Sequence, residues 1–396
     1  MHTKQKNIAI LGSTGSVGRN TLDVVARNAD LFSVVALGAC KSVDVLLDQT
    51  KRFKPSYVAI TDSDAAEKFL SSVNQLDYSP HILIGDHGLE KIASLKEVDC
   101  VMAAIVGAAG LSSTLQAARS GKVILLANKE ALVMSGDLLI RVAHENNATL
   151  LPIDSEHNAV FQCMANNPDE YTKSGVNQVT LTASGGPFLN TPIEDLKTVT
   201  PIQACAHPNW NMGRKISIDS ATMMNKGLEL IEACLLFDLN ISKVNVVIHP
   251  QSIVHAMVSY KDGSVVAHMG FPDMRVPIAH AIAWPERIES GVEVLDITQC
   301  TNLEFYPPDL QRFPCLQLAM RVLQIGRSMP AVMNAANEVA VQEFLAQQIK
   351  FTDIHHIVSD VVDSMEPVSI DSIETILAVD QQARELTRMK ISALTH

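Results

Sequence analysis

Over the first 154 residues, short apolar runs alternate with stretches of helical periodicity. Ile8–Leu11, Val34–Gly38, Tyr57–Ile60, Cys100–Ile105, Val123–Ala127 and Thr149–Ile153 each read as a strand. Strands that are apolar throughout are buried on both faces, so the alternation predicts a doubly wound parallel sheet with helices on either side. Between Val179 and Gly270 the strands lengthen. Val244–His249 is one; the arms Ile253–Tyr260 and Ser264–Met269 meet at Lys261-Asp262-Gly263, a good hairpin tip. Gly291–Pro314, with Pro307 and Pro308, reads as a connector. Beyond it, Pro314–Ile325, Pro330–Gln347, Asp353–Ser364 and Asp371–Ser392 predict a small helical bundle. The expected class is α/β, divided into 1–154 (parallel sheet), 155–290 (central α+β region), 291–314 (connector) and 315–396 (C-terminal α-helical bundle).

A chain of 396 residues exceeds the size of one core, and 47% hydrophobic residues suffice for several. A net charge of −12 without any basic run argues against nucleic acid and anionic membrane as partners, so an anionic substrate needs a local basic pocket. Seven scattered cysteines without a C-x-x-C pair suggest neither a disulfide framework nor a zinc site, and a reducing cytoplasm fits them best. The apolar segment Ile8–Leu11 is too short for a signal peptide, and Val101–Leu111 falls short of a membrane span.

The loop Gly12-Ser-Thr-Gly15-Ser-Val-Gly18 follows a strand and opens a helix, the context of a dinucleotide-binding turn, and makes the first domain Rossmann-like. Glycines let the backbone approach a pyrophosphate, and the helix start supplies N–H groups. The spacing is G-x-x-G-x-x-G rather than G-x-G-x-x-G, and a ligand-free turn is the plain alternative. Where an NAD enzyme carries an acid after its second strand, this chain has Cys40-Lys41-Ser42. Lys41 and Ser42 suit the extra phosphate of NADP, or Lys41 is a solvated helix-start residue. Asn128-Lys129-Glu130 stands at the ligand edge of the sheet, to line the nicotinamide end or to cap a helix.

The densest polar stretch is His207–Glu229: His207, Trp210 and Met212 in a loop, then Ser220, Asn225, Lys226 and Glu229. Hydroxyl, amide and ammonium suit a phosphate; the carboxylate suits a metal. Asp154 and Glu156, at i and i+2 after a strand, point to one side if the segment stays extended. With Glu229 they form three hard oxygen ligands for Mg²⁺ or Mn²⁺. Each alone is more ordinarily a helix-end charge. Ser184-Gly-Gly-Pro-Phe188 offers a nest of N–H groups for phosphate, or is a plain turn.

Gly12–Gly18, Asn128–Glu130, Pro152–Asn158, Ser184–Phe188, His207–Glu229 and His249–His255, with Asn334–Glu338, together resemble the 1-deoxy-D-xylulose 5-phosphate reductoisomerase family over nearly the whole chain. The resemblance implies a cytoplasmic homodimeric oxidoreductase and isomerase of isoprenoid precursor synthesis. It would convert that sugar phosphate to 2-C-methyl-D-erythritol 4-phosphate using NADPH and Mg²⁺ or Mn²⁺, with Co²⁺ a further option. It implies metal ligation by Asp154, Glu156 and Glu229, and phosphate binding by Ser184, Ser220, Asn225 and Lys226. Ser155 would meet the substrate hydroxyls. Lys129, Glu156 and His207 form the implied catalytic set; His207, Trp210 and Met212 belong to a loop closing over substrate, and Glu229 also lies against it. Thr14, Gly15, Ser16, Val17, Cys40, Lys41, Ser42, Asn128, Glu130 and Gly213 would contact NADPH. Family members often carry Gly-Lys-Asn where this chain has Cys40-Lys41-Ser42, so only Lys41 carries over directly.

The implied reaction breaks and re-forms a C–C bond on a metal-chelated substrate and then reduces the resulting aldehyde. A rival reading takes the glycine loop as that of a semialdehyde dehydrogenase with Cys163 as thioester nucleophile. Another takes the chain as a non-enzymatic NADP sensor, which would have no need of Asp154, Glu156 and Glu229 together. His207 or His255 would move a proton, or both are ordinary buried histidines.

Overall fold

The computed structural model describes residues 5–164, 175–210, 212–300 and 302–395. Asn211, which falls between the loop residues Trp210 and Met212, and the first four residues lie outside the described residues. The chain forms two compact units: Met1–Ala131 with Leu139–Asn158 and Asp273–Glu293, and Leu132–Leu138 with Ala159–Pro272 and Val294–His396.

In chain order the first elements are β1 (Lys6–Leu11), α1 (Ser16–Arg27), β2 (Phe32–Ala39), α2 (Val43–Phe53), β3 (Tyr57–Ile60), α3 (Ser63–Ser72), β4 (His81–Ile84), α4 (Asp86–Ala93), β5 (Cys100–Ala103), α5 (Leu111–Arg119), β6 (Val123–Leu126), α6 (Lys129–Ser135), α7 (Asp137–Glu145), β7 (Thr149–Pro152) and α8 (Ser155–Cys163). The strands make one parallel sheet in the order β4-β3-β2-β1-β5-β6-β7. Its direction reverses between β1 and β5, and ligands of such sheets bind at the C-terminal ends of the strands at that switch point. The predicted strands form, and β4 joins them at an edge. Its residues are only partly buried or exposed, so it lacks the apolar signature of the inner strands.

β8 (Val176–Ala183), α9 (Pro201–Cys205), α10 (Arg214–Thr222), α11 (Met224–Leu236), β9 (Val244–Ile248), β10 (Val254–Tyr260) and β11 (Val265–Met269) follow. These strands pair in the order β11-β10-β8-β9, with β8 and β9 parallel and the other pairs antiparallel. The β10–β11 hairpin turns at Gly263, whose φ of +87° explains the glycine. One face of this sheet meets α11 in a core that includes Val179, Leu181, Leu230, Phe237, Val246, Val258 and Leu316.

α12 (Arg275–Ala283) packs on α1, β6 and β7, and the Arg275 guanidinium reaches Asp23 Oδ2 at 3.3 Å. The predicted terminal bundle is present as α13 (Pro314–Ile325), α14 (Met329–Leu345), α15 (Phe351–Ser364) and α16 (Ile373–Thr395). α14 is buried nearly all round because α13, α15 and α16 all pack on it.

Candidate functional site

In the first unit the glycine loop lies on the switch point. Gly12 has φ +83°, and a Cβ there would stand 2.6 Å from the Ala104 carbonyl oxygen that follows β5. A Cβ on Gly18 would stand 2.6 Å from the Ser13 carbonyl oxygen, so only glycine lets α1 start this close to the loop. Gly15 is the N-cap of α1, no side chain caps it, and no acid occupies the first turn. The first-turn N–H groups therefore favour an anion. Ser13 is fully buried, yet its hydroxyl has no partner among the described residues. Buried hydroxyls are ordinarily partnered, and a water or a ligand at the loop would supply what this one lacks. Gln49 Nε2 braces the loop by donating to Ser13 O at 2.8 Å. Arg19, passed over in the sequence, donates from Nε to Thr14 O at 2.9 Å and brings a cation to the loop; its signal was its position directly after Gly18.

Cys40 and Lys41 are exposed after β2, and Ser42 is the N-cap of α2. No acid stands directly after β2, the first being Asp44 inside α2, but the end of β3 brings Asp62 to 3.7 Å from Lys41 Nζ, a juxtaposition visible only once strand register is known. Asn128 takes the capping role left open above: its Oδ1 accepts the Ala131 N–H at 3.3 Å, and its Nδ2 donates to Gly107 O at 3.1 Å. It thereby ties the turn after β6 to the turn after β5. Glu130 is buried in the first turn of α6.

Lys129 pairs with Asp154, both side chains being about nine-tenths buried. Asp154 and Glu156 do not share an extended segment as expected, because α8 begins at Ser155 and Asn158 N–H donates to Asp154 O at 2.8 Å. Helix closes there because Asn158 Nδ2 also satisfies Pro152 O at 2.9 Å, which fixes the turn from β7. Glu156 sits in the first helical turn and accepts from Ser155 Oγ at 2.5 Å.

In the second unit the Ser184-Gly185-Gly186 turn follows β8 with φ +82° and +67° at the two glycines. A Cβ on Gly186 would stand 2.9 Å from the Ser220 carbonyl oxygen, so the nest lies directly against α10. Ser184 Oγ accepts the Gly186 N–H at 3.1 Å and contacts His207 Nε2 at 2.9 Å. His207 Nδ1 accepts the Asn209 and Trp210 N–H groups at 3.1 and 3.0 Å. With Nδ1 committed as acceptor, Nε2 carries the hydrogen and donates to Ser184. Burial pushes the His207 pKa down to about 4.

Asn209 Nδ2 anchors the same loop, donating to Pro250 O at 2.7 Å and Ser252 Oγ at 2.9 Å. Trp210 is half-buried with its ring edge-on to His255, centroids 6.3 Å apart; Met212 is half-buried and Gly213, N-cap of α10, is exposed. α10 and α11 join at Met223, whose left-handed φ of +59° turns the chain between them. On α11, Asn225 Nδ2 and Lys226 Nζ both donate to the buried Glu229 carboxylate. Asp219 was also overlooked: it is buried, pairs with Lys215 at 2.9 Å and accepts from Asn337 Nδ2 at 2.8 Å.

His249 is structural, with Nδ1 on Glu304 O at 2.8 Å and Nε2 accepting from Val254 N–H at 3.1 Å. His255 is pushed down to about 4, chiefly by burial and next by the His268 charge, with the Gly270 backbone bond opposing, then the Lys226 charge lowering and the Phe271 backbone bond opposing. Cys163 lies in the apolar core with its thiol pushed up to about 11 by burial, which disqualifies it as the rival reading's nucleophile.

A doubly wound sheet with a ligand-ready glycine loop at its switch point, in one chain with a hydroxyl, amide, ammonium and carboxylate cluster, defines a dinucleotide-dependent α/β oxidoreductase. Comparison with known proteins narrows the class. Residues 8–136 match the family 1-deoxy-D-xylulose 5-phosphate reductoisomerase, and residues 150–237 and 269–386 match two C-terminal domains of the same enzyme. The 1-deoxy-D-xylulose 5-phosphate reductoisomerase of Pseudomonas putida is 53% identical over 390 residues, 98% of this chain and 97% of its own. That of Nitrosomonas eutropha is 54% identical over 98% of this chain and 94% of its own. A crystal structure of DOX-P reductoisomerase with NADPH, fosmidomycin and magnesium superposes with TM-score 0.95 at 46% identity, covering 99% of both chains. The Zymomonas mobilis enzyme with NADPH superposes with TM-score 0.90 at 44% identity, covering 98% of this chain and 99% of its own. The chain belongs to the 1-deoxy-D-xylulose 5-phosphate reductoisomerase family.

Proposed function

We propose that this protein rearranges and reduces 1-deoxy-D-xylulose 5-phosphate to 2-C-methyl-D-erythritol 4-phosphate with NADPH and Mg²⁺ or Mn²⁺, as a step toward isoprenoid precursors. The observation that carries the reading is that the phosphate-suited cluster of Ser184, Ser220, Asn225 and Lys226 falls inside the matched C-terminal segment, while the glycine loop falls inside the matched N-terminal one. When bound, the metal supplies Lewis-acid stabilisation of charge on the substrate oxygens and the nicotinamide supplies the reducing equivalent.

The residues do the rest. Asp154, Glu156 and Glu229 are hard oxygen donors of the kind such a metal takes. Lys129, paired with Asp154, supplies the positive charge that keeps two neighbouring carboxylates compatible. Ser155 orients the substrate hydroxyls. Ser184, whose two acceptor positions are filled by N–H donors, has its own O–H left to donate to phosphate. Asn225 and Lys226 turn from Glu229 to the phosphate when substrate enters, which frees the carboxylate for the metal. Phosphate and metal binding are thereby coupled. Thr14, Gly15, Ser16, Val17 and Arg19 hold the dinucleotide phosphates, Lys41 its 2′-phosphate, and Asn128 the turn beneath them. His207 and Trp210 close over substrate and exclude water.

The working division is 1–154 for cofactor, ending on the metal donor Asp154, 155–290 for metal and substrate, of which the stretch from Asp273 packs with the first unit, 291–314 for a connector, and 315–396 for the supporting bundle. A homodimer is supported by β11, an edge strand with Val265 58% and Val266 43% exposed next to Phe271 at 40%. Such an apolar edge needs cover. A reducing cytoplasm suits seven free cysteines. Substrate-dependent NADPH oxidation, with EDTA and with Mg²⁺ or Mn²⁺ restored, tests the reading when the product is identified by mass spectrometry. NADPH oxidation that is indifferent to metal would sink it.

A further inference from the structure

Asp62 stands where β3 leaves the sheet, beside the end of β2 that carries Cys40 and Lys41. β2 and β3 are parallel with Ala39 opposite Ile60, and Thr61 N–H donates to Ala39 O at 3.1 Å, so the two strands finish side by side. Asp62 is fixed: as N-cap of α3, its Oδ1 accepts the Ala65 N–H at 2.9 Å. Its Oδ2 lies 3.7 Å from Nζ of Lys41, a side chain that is 78% exposed. Dinucleotide enzymes select NAD with an acid after the second strand. Here an acid reaches the same neighbourhood from the third.

We propose that Asp62 is a cofactor-specificity residue that lowers the preference for NADPH by setting a fixed negative charge against the 2′-phosphate. The inference rests on the NADPH reading above. Two effects of Asp62 oppose each other. It tethers Lys41, which favours phosphate binding, and it repels the phosphate. An exposed ion pair contributes little to holding a flexible lysine, so the tether is weak. A phosphate seated on Lys41 brings almost two charges within roughly 7 Å of the carboxylate, less than a Debye length at physiological salt. Repulsion at that range changes binding by about threefold in an aqueous setting, and it prevails. NADH, with a hydroxyl in place of the phosphate, escapes the penalty.

Asp62→Asn separates charge from structure, since the amide oxygen still caps α3. Calorimetric titration of 2′,5′-ADP and 5′-AMP into the whole protein, at low and high salt, reads the effect without turnover. The variant should bind 2′,5′-ADP about threefold more tightly than the parent at low salt, with 5′-AMP unchanged and the gain lost at high salt. KM for NADPH should fall by the same factor, and Asp62→Ser, which also caps, should behave alike. Unchanged or weaker 2′,5′-ADP binding by both variants would overturn the proposal. A parent that fails to prefer 2′,5′-ADP over 5′-AMP would instead sink the NADPH reading beneath it.

Discussion

Ser184 Oγ stands 2.9 Å from His207 Nε2, and the direction of that hydrogen bond is set on the far side of the ring, where Nδ1 accepts two backbone N–H groups. The loop therefore orients its own histidine, and the histidine orients the serine. His207→Phe should lower kcat/KM by roughly 10- to 100-fold, the range for a buried hydrogen bond made useless to the ligand. Because the two residues act as one unit, the double variant with Ser184→Ala should be little worse than the poorer single variant. Additive losses in that cycle would separate the two roles. With its pKa near 4, His207 should contribute no ionisation to the rate profile between pH 6 and 8.

The depressed histidines also predict how stability responds to acid. His207 and His255 both titrate near 4 in the folded protein against 6.5 for an ordinary histidine. Above pH 6.5 folded and unfolded chains are both neutral at these sites. As pH falls below 6.5 the unfolded chain binds protons that the folded one does not, so stability is lost progressively down to about pH 4. Urea unfolding across that window should show the loss, and His255→Gln should flatten it. An unchanged slope in that variant would show that His255 is not a source.

Glu229 is held by Asn225 and Lys226, and Lys226 is itself buried. Glu229→Gln and Asp154→Asn should each abolish metal-dependent turnover, since amides are poor ligands for hard cations. Glu229→Gln should also cost about 3 kcal/mol of stability, because it removes the carboxylate that the buried Lys226 ammonium pairs with. Adding Lys226→Met should recover much of that loss without restoring activity. Near-parental turnover in either carboxylate variant would remove that residue from the metal site.

Much of this was legible in the sequence for a physical reason: fully buried strands must be apolar throughout, and glycine loops and hairpin tips demand particular residues. Thus β1, β2, β3, β5, β6 and the Gly263 turn stand out unaided. β4 does not, because His81–Ile84 is a short edge strand without a buried pattern. The start of α8 escaped because Asp154 and Glu156 read equally well on a strand end, and only Asn158 closing on Pro152 O decides for helix. Asp62 stayed hidden since its partner Lys41 is set by strand register, and Asp219, whose i,i+4 pairing with Lys215 reads as an ordinary helix-surface ion pair, gains its buried role only from packing against Asn337.

NADPH should be preferred over NADH by about 1 kcal/mol, below the ~1.5–3 kcal/mol of a charge-assisted hydrogen bond, because Lys41 is largely solvated and already shares charge with Asp62. Lys41→Ala should narrow the gap in kcat/KM. Equal use of both cofactors by the parent would show that the strand end does not select.

The segment from His207 to Lys215, whose last two residues open α10, is anchored on both sides of a half-buried indole. Asn209 ties it to the turn at Pro250 and Ser252, and Lys215, in the first turn of α10, is drawn onto Asp219 one turn further on. Trp210 between them is only half-buried, and its nearest described ring partner is His255 at 6.3 Å. A large apolar ring left partly in water gains by covering a ligand, and closure would exclude water from the site. Trp210→Ala should therefore lower kcat/KM by about 10- to 100-fold while leaving the melting temperature nearly unchanged. Trypsin should cut after the exposed Arg214 faster than after Lys215, which is half-buried and ion-paired. Metal plus a phosphonate-hydroxamate mimic of the substrate should slow both cuts. If cleavage at Arg214 is unaltered by saturating mimic, with binding confirmed by calorimetry, the segment does not close on ligand and Trp210 is a packing residue.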